Sequence, residues 1–218
     1  MTVKPAKRRA RPRGRPAEAA EEDVRAALMT AARQLFLKYG FAKVTARQIA
    51  AVAGTTPAMI HYYFDNKDGL FRAMLEEAVE PLRHLLADVL RPGTGAPDIG
   101  MLIAAQLRTV AANPWIATLI LNEVLAEGGR FRAIFIRDVA GRMLPMLVEL
   151  FDRERRAGRI REDLNPRLAA LSLLSLNIFP FLTRVVTGPL LDVKLEGAAL
   201  EELIAHTTKV FLDGISPA

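Results

Sequence analysis

The residues whose types and spacing could do chemistry fall in two places, and in both the chemistry is the holding of an anion. Between residues 7 and 16, Lys7, Arg8, Arg9, Arg11, Arg13 and Arg15 place six cations in ten residues with no acid among them. Further on, Thr45 and Thr56 each stand where a helix is expected to begin. A hydroxyl beside free backbone N–H groups at the positive end of a helix dipole suits a phosphate. Nothing as sharp points to bond making. The chain has no cysteine, and His61, His84 and His206 are far apart in sequence. No nucleophile elbow, glycine-rich phosphate loop or paired-histidine metal motif is present. No enzyme, metal site or cofactor is expected, and the lack of cysteine suits a reducing, cytoplasmic compartment.

The elements that would position these residues read as helices throughout. With 218 residues and 51% hydrophobic content the chain can bury a sizeable core. The net charge of +6 is uneven: the first sixteen residues hold seven Lys or Arg and no acid, leaving 23 bases against 24 acids elsewhere. Leu28, Ala31, Ala32, Leu35, Phe36 and Tyr39 follow helical spacing, starting near residue 22 and stopped by Gly40. Thr45 with Gln48 fits a capping box, Thr56-Pro57 pairs an N-cap with a first-turn proline, and Asn66 precedes Leu70, Phe71, Met74 and Leu75. Asp98, Asn113-Pro114 and Asn165-Pro166 read as further starts, and Gly128-Gly129, Gly158 and Gly188-Pro189 as stops. The fold class is all-α, with about nine helices. Pro81, Pro145 and Pro180 fall inside periodic segments and predict kinks or breaks. The acidic stretch 17–23 argues against an export signal. The apolar run 168–182, at fifteen residues, is short of the roughly 18 to 20 that span a bilayer, so a buried helix and no membrane partner are expected.

Residues 45–64 carry the informative pattern: a short helix, a turn centred on Gly54 and a second short helix, which is a helix-turn-helix. Ile49, Ala50 and Ala53 make the inner face of the first helix, and Gly54 supplies left-handed backbone. Ile60 and Phe64 point inward from the second helix, leaving Pro57, Ala58, Met59, His61 and Tyr63 outward. Over residues 24–75, from Thr45 through IAAVAGTTPAMIHYYFDNKDGLF to Phe71, the chain resembles the TetR/AcrR family of bacterial transcriptional regulators. That resemblance implies DNA contacts from Thr45, Arg47, Thr56, Pro57, Ala58, Met59, His61, Tyr62, Tyr63 and Lys67. Lys67 matches the family lysine that grips the DNA backbone, and Arg47 matches a position that reaches a guanine in some members. Pro57, Ala58 and Met59 suit thymine methyls more than hydrogen-bonded discrimination. The Tyr63 hydroxyl is expected to reach a phosphate. His61 replaces the commoner family tyrosine, and a phosphate-facing imidazole would strengthen binding as pH falls.

The domain plan that follows is a disordered basic arm at 1–20, a helix-turn-helix domain at 21–66, a connecting helix at 67–91 and a ligand-binding and dimerisation domain at 92–218. The best boundary is residues 91–97, rich in proline and glycine. In the arm, Pro12-Arg13-Gly14-Arg15-Pro16 resembles the core of the AT-hook, with Arg13 and Arg15 in a minor groove. The family resemblance implies a homodimer, through helices at about 167–187 and 196–212, on a near-palindromic operator in double-stranded DNA, and release by a small effector. The last helix shows one apolar stripe from Leu200 to Phe211. Trp115, Asn122, Phe135, Met143, Met146, Asn177 and Phe179 are the candidate pocket residues, being large, adaptable or out of place, and they favour an apolar effector. The alternative is a constitutive or architectural DNA-binding dimer with no small-molecule control.

Overall fold

A computed structural model describes residues 17–91, 93 and 98–217, so the arm with Arg13 and Arg15 lies outside the described residues. Among the described residues there are nine continuous helices and no strand. Four build the N-terminal part: α1 (Ala17–Tyr39), α2 (Ala46–Val52), α3 (Pro57–Phe64) and α4 (Lys67–Leu90). Five follow: α5 (Ile99–Ala112), α6 (Pro114–Leu125), α7 (132–156), α8 (Pro166–Leu191) and α9 (Gly197–Ile215). The second half of α6, Ile120–Leu125, and the segment Ile136–Ala140 of α7 are π-wound.

The expected punctuation is largely in place. Thr45 and Gln48 form a reciprocal capping box, Asn66 accepts from the Gly69 N–H, Asp98 from Met101 and Asn165 from Arg167. Gly40 and Gly54 take φ of 78° and 67°, the left-handed backbone their turns require. Three expectations need correction. Helix α1 begins at Ala17, not near residue 22, because alanine and glutamate are strong helix formers and early acids complement the dipole. Of the kink or break expected at each internal proline, the break is absent: α4, α7 and α8 each run on through Pro81, Pro145 and Pro180. An internal proline costs about 3 kcal/mol, whereas each buried Leu or Phe flanking it, such as Leu82, Leu147 and Phe181, contributes about 1.5–3 kcal/mol. Nor does Gly188-Pro189 stop α8, which continues to Leu191 and ends at Asp192 with φ 51°. Aspartate tolerates that left-handed turn better than most residues.

Two apolar cores hold the helices. One packs α5, α7, α8 and α9 around Ile103, Leu107, Leu150 and Phe151. The other joins Leu28, Phe36, Ile49, Ile60 and Phe71 of the N-terminal helices to Trp115, Ile120, Val124 and Phe131 from beyond residue 113. Phe131 sits with its ring centroid 4.5 Å from Phe41 and 4.4 Å from Phe71. Around it, Arg130 Nη2 donates to Asp68 at 2.8 Å and Arg72 pairs with Asp138. The Arg132 guanidinium donates to the carbonyls of Val124 and Ala126, closing the end of α6. Arg130, Arg132 and Arg137 are thus all engaged by groups within the fold.

Candidate functional site

The site has two parts, the exposed side of α2 and α3 and a cavity among the helices that follow them. On α2 the inner residues Ile49 and Ala50 are buried, which turns Arg47 outward. On α3 the buried pair Ile60 and Phe64 fixes the opposite face, so Pro57, Ala58, His61 and Tyr62 are exposed together with Thr45 and Thr56. The two threonines differ. Thr45 Oγ1 accepts from the Gln48 N–H at 3.2 Å and its own N–H donates to Gln48 Oε1 at 2.8 Å, so its capacity is used within α2. Thr56 makes no side-chain cap, so its exposed hydroxyl is not engaged by α3, whose first residue, Pro57, has no N–H. His61 Nδ1 lies against the Asp65 carbonyl, which directs Nε2 to solvent.

Three of the expected contacts are placed differently from the sequence reading. Met59 and Tyr63 are partly buried and pack on the core rather than standing on the outer face. The Tyr63 hydroxyl oxygen is buried, whereas its neighbour Tyr62 is 66% exposed. Lys67 Nζ donates to the carbonyls of Phe41 at 2.9 Å and Val44 at 2.7 Å and lies 4.0 Å from the Phe41 ring centroid. Partial burial, and then the nearby Arg130 cation, push its pKa below the ordinary lysine value. In this arrangement Lys67 closes the turn between α1 and α2 instead of projecting a free cation.

The cavity, of about 230 Å³, lies between α4, α5, α6, α7 and α8. Of the candidate pocket residues, Phe135 and Met143 line it. Asn177 stands behind its wall, fully buried, its Nδ2 donating to Gln106 Oε1 at 2.8 Å. The others belong elsewhere. Trp115 and Asn122 border a separate cleft of about 20 Å³ beside Phe41 and Phe71. Met146 packs on the core of the C-terminal helices. Phe179 is 59% exposed on the outer side of α8, because that helix has a second apolar face that none of the described residues covers. Gln106 and Thr109 were missed, although a glutamine between Ile103 and Leu107 on an apolar stripe was as much out of place as Asn177. Four cavity residues, Leu75, Val79, Leu82 and Leu86, belong to α4, whose first turn follows α3, the second helix of the helix-turn-helix.

The buried-helix reading of 168–182 also changes. Helix α8 has 26 residues and is, among the described residues, long and apolar enough to cross a membrane by length and composition. Its inner side is core, with Ala169, Ala170, Leu173, Asn177 and Phe181 buried, while Leu168, Leu171, Leu176, Phe179, Val186 and Leu190 stay exposed at helical spacing. A surface groove lined by Leu168, Leu176 and Val210 joins that stripe to α9.

Comparison with known proteins finds matches for both halves of the chain. Residues 28–74 match the bacterial regulatory proteins of the TetR family, and residues 97–210 match the tetracyclin repressor-like C-terminal domain. The transcriptional repressor BepR of Brucella suis is 24% identical over 200 residues, covering 89% of this chain and 90% of BepR. Among solved structures, the fatty acid degradation regulator FadR of Bacillus halodurans superposes with a TM-score of 0.70 at 20% identity, over 88% of this chain and 95% of FadR. SmeT, the repressor of a Stenotrophomonas maltophilia multidrug efflux pump, superposes in its triclosan complex with a TM-score of 0.69 at 19% identity, over 88% of this chain and 91% of SmeT. A helix-turn-helix with its polar face outward, a cavity walled by the helix that follows it, and matches along most of its length identify the chain as a member of the TetR family of bacterial regulatory proteins, DNA-binding regulators of transcription.

Proposed function

We propose that this protein is a repressor that binds a near-palindromic operator as a homodimer and is released by a small apolar effector. The observation that carries the reading is α4. One face of this helix lines the cavity through Leu75, Val79, Leu82 and Leu86, and its first turn follows the recognition helix. A molecule that prefers one packing of those side chains shifts α3 with them, and the shift equals its differential affinity for the two arrangements. Pro81 gives α4 a place to bend. Binding of triclosan by SmeT, which shares the fold, supports an apolar effector.

The DNA contacts in this reading are Arg47 for a base edge, Thr56, His61 and Tyr62 for phosphates, and Pro57 and Ala58 for thymine methyls. Arg13 and Arg15 add a minor-groove arm. The exposed stripe of α8 and the adjoining groove on α9 form the dimer contact, a two-fold four-helix interface that spaces the recognition helices by about one turn of DNA, roughly 34 Å. The site of action is chromosomal DNA in the cytoplasm.

The test is capture of genomic fragments, followed by anisotropy titration of the recovered operator with a panel of apolar compounds. Two chains per site and a drop in affinity of about 5- to 150-fold with at least one compound are expected. Tight binding that no compound alters supports a constitutive DNA-binding dimer instead. Removing residues 1–16 should flatten the salt dependence by about 0.9 in log–log slope for each DNA phosphate that the arm neutralises.

A further inference from the structure

The wall of the main cavity is not uniform. Among the described residues that line it there is no acid and no base, and the polar side chains are Gln106 and Thr109, one turn apart on α5. Gln106 is fixed from behind by Asn177, whose Nδ2 donates to Gln106 Oε1 at 2.8 Å. A side-chain amide offers one oxygen and two N–H donors. With the oxygen engaged, what Gln106 has left for the cavity is its N–H groups. Asn177 Oδ1 is buried with no protein partner among the described residues, so the pair carries unused capacity in an otherwise apolar core. Two leucines here would be close to neutral for stability, whereas a half-satisfied amide pair is a standing penalty. The Asn177 oxygen lies behind the wall, so what the pair offers a molecule inside the cavity is the Gln106 N–H groups alone.

We infer that the cavity takes a neutral, mostly apolar molecule whose single polar atom accepts a hydrogen bond from Gln106 beside Thr109, and that it rejects carboxylates. This deepens the effector reading and rests on it. Phe135 and Met143 line the same space with aromatic and polarizable surface, which suits a flat or aromatic body. The cations on the adjoining segment do not serve an anion inside, since Arg72 and Arg137 are both held by Asp138. A carboxylate drawn into this wall would lose its water and meet no charge partner.

The experiment uses the full-length protein at pH 7 and three probes of matched shape: 2-naphthol, naphthalene and 2-naphthoate. Binding is measured by calorimetry and thermal shift, with operator affinity followed in parallel. The expected order is 2-naphthol over naphthalene by about three- to tenfold, the worth of one hydrogen bond, with 2-naphthoate weaker than 2-naphthol by at least about tenfold. Gln106→Leu should abolish the naphthol preference and leave naphthalene unchanged. Because that change strands the Asn177 amide, the double variant Gln106→Leu with Asn177→Leu provides a packed, unpolarised wall for the same comparison. Equal binding of 2-naphthoate, a naphthol preference that survives both variants, or no binding of 2-naphthol overturns the inference. A naphthol preference with unchanged operator affinity leaves the ligand chemistry standing and removes the effector role. Operator release by an apolar compound without that preference removes the ligand chemistry alone.

Discussion

Asp65 follows the last residue of α3 with φ 67° and ψ −45°, and the Asn66 N–H closes back on the Phe64 carbonyl at 2.7 Å. This is the geometry of a γ-turn of the rare, strained hand, and strain of this kind costs on the order of 1–3 kcal/mol in a residue with a side chain. Asp65→Gly should therefore raise the melting temperature, and Asp65→Val should lower it by several degrees, both read by circular dichroism. Asp138 makes a second residue-scale prediction. The Arg137 guanidinium bonded to it, helped by Arg72, holds its carboxyl below the ordinary value of 3.8. A depressed carboxyl contributes stability that is complete above the unfolded value and is lost as pH falls through the folded one. Stability should thus fall below about pH 4, and Asp138→Asn should make that acid limb shallower by up to about one proton, measured by urea titration at several pH values. At this scale sequence reading succeeded where a residue acts on its near neighbours, as Thr45 does on Gln48. It failed for Tyr63, because which of two adjacent tyrosines turns inward depends on the pose of α3 over the helices beneath it. For Lys67 it could not see the carbonyls that hold its ammonium here, which lie 23 and 26 residues away.

Gly69 sits in the first turn of α4, where a Cβ would lie 1.9 Å from the carbonyl oxygen of Phe64. The close passage of α3 over α4 is possible because that position has no side chain. Gly69→Ala must push the recognition helix away or unwind the start of α4. A loss of about 1–3 kcal/mol in unfolding free energy is expected, together with a larger fall in operator affinity than the stability loss alone would produce, checked by anisotropy well below the melting temperature. Elements were legible wherever a cap residue announced them, as with Asp98, Asn113 and Asn165. The π-wound turns at Ile120–Leu125 and Ile136–Ala140 were not, because a wider winding over five or six residues leaves no mark in apolar spacing.

At the scale of the molecule, periodicity reported that α8 was apolar on most sides, but an apolar residue looks the same whether its cover is its own chain or a second copy. Phe179 shows the difference, expected in the pocket and found on the outer stripe with Leu168, Leu171 and Leu176. On the proposed dimer arrangement, Phe179→Glu should give monomers by sedimentation equilibrium while leaving helical content and naphthol binding unchanged, and should weaken operator binding steeply. The proline- and glycine-rich segment at 91–97 looked like the seam between two units, yet the packing crosses it. Phe131 and Trp115, both from beyond that seam, complete the aromatic cluster of Phe41 and Phe71. The reading head is therefore not a transplantable module: a hybrid regulator joined at residue 91 would bring Phe41 and Phe71 without their lid. Grafting this head onto another sensor requires carrying across the matching face of α6 and the residues that lead into α7.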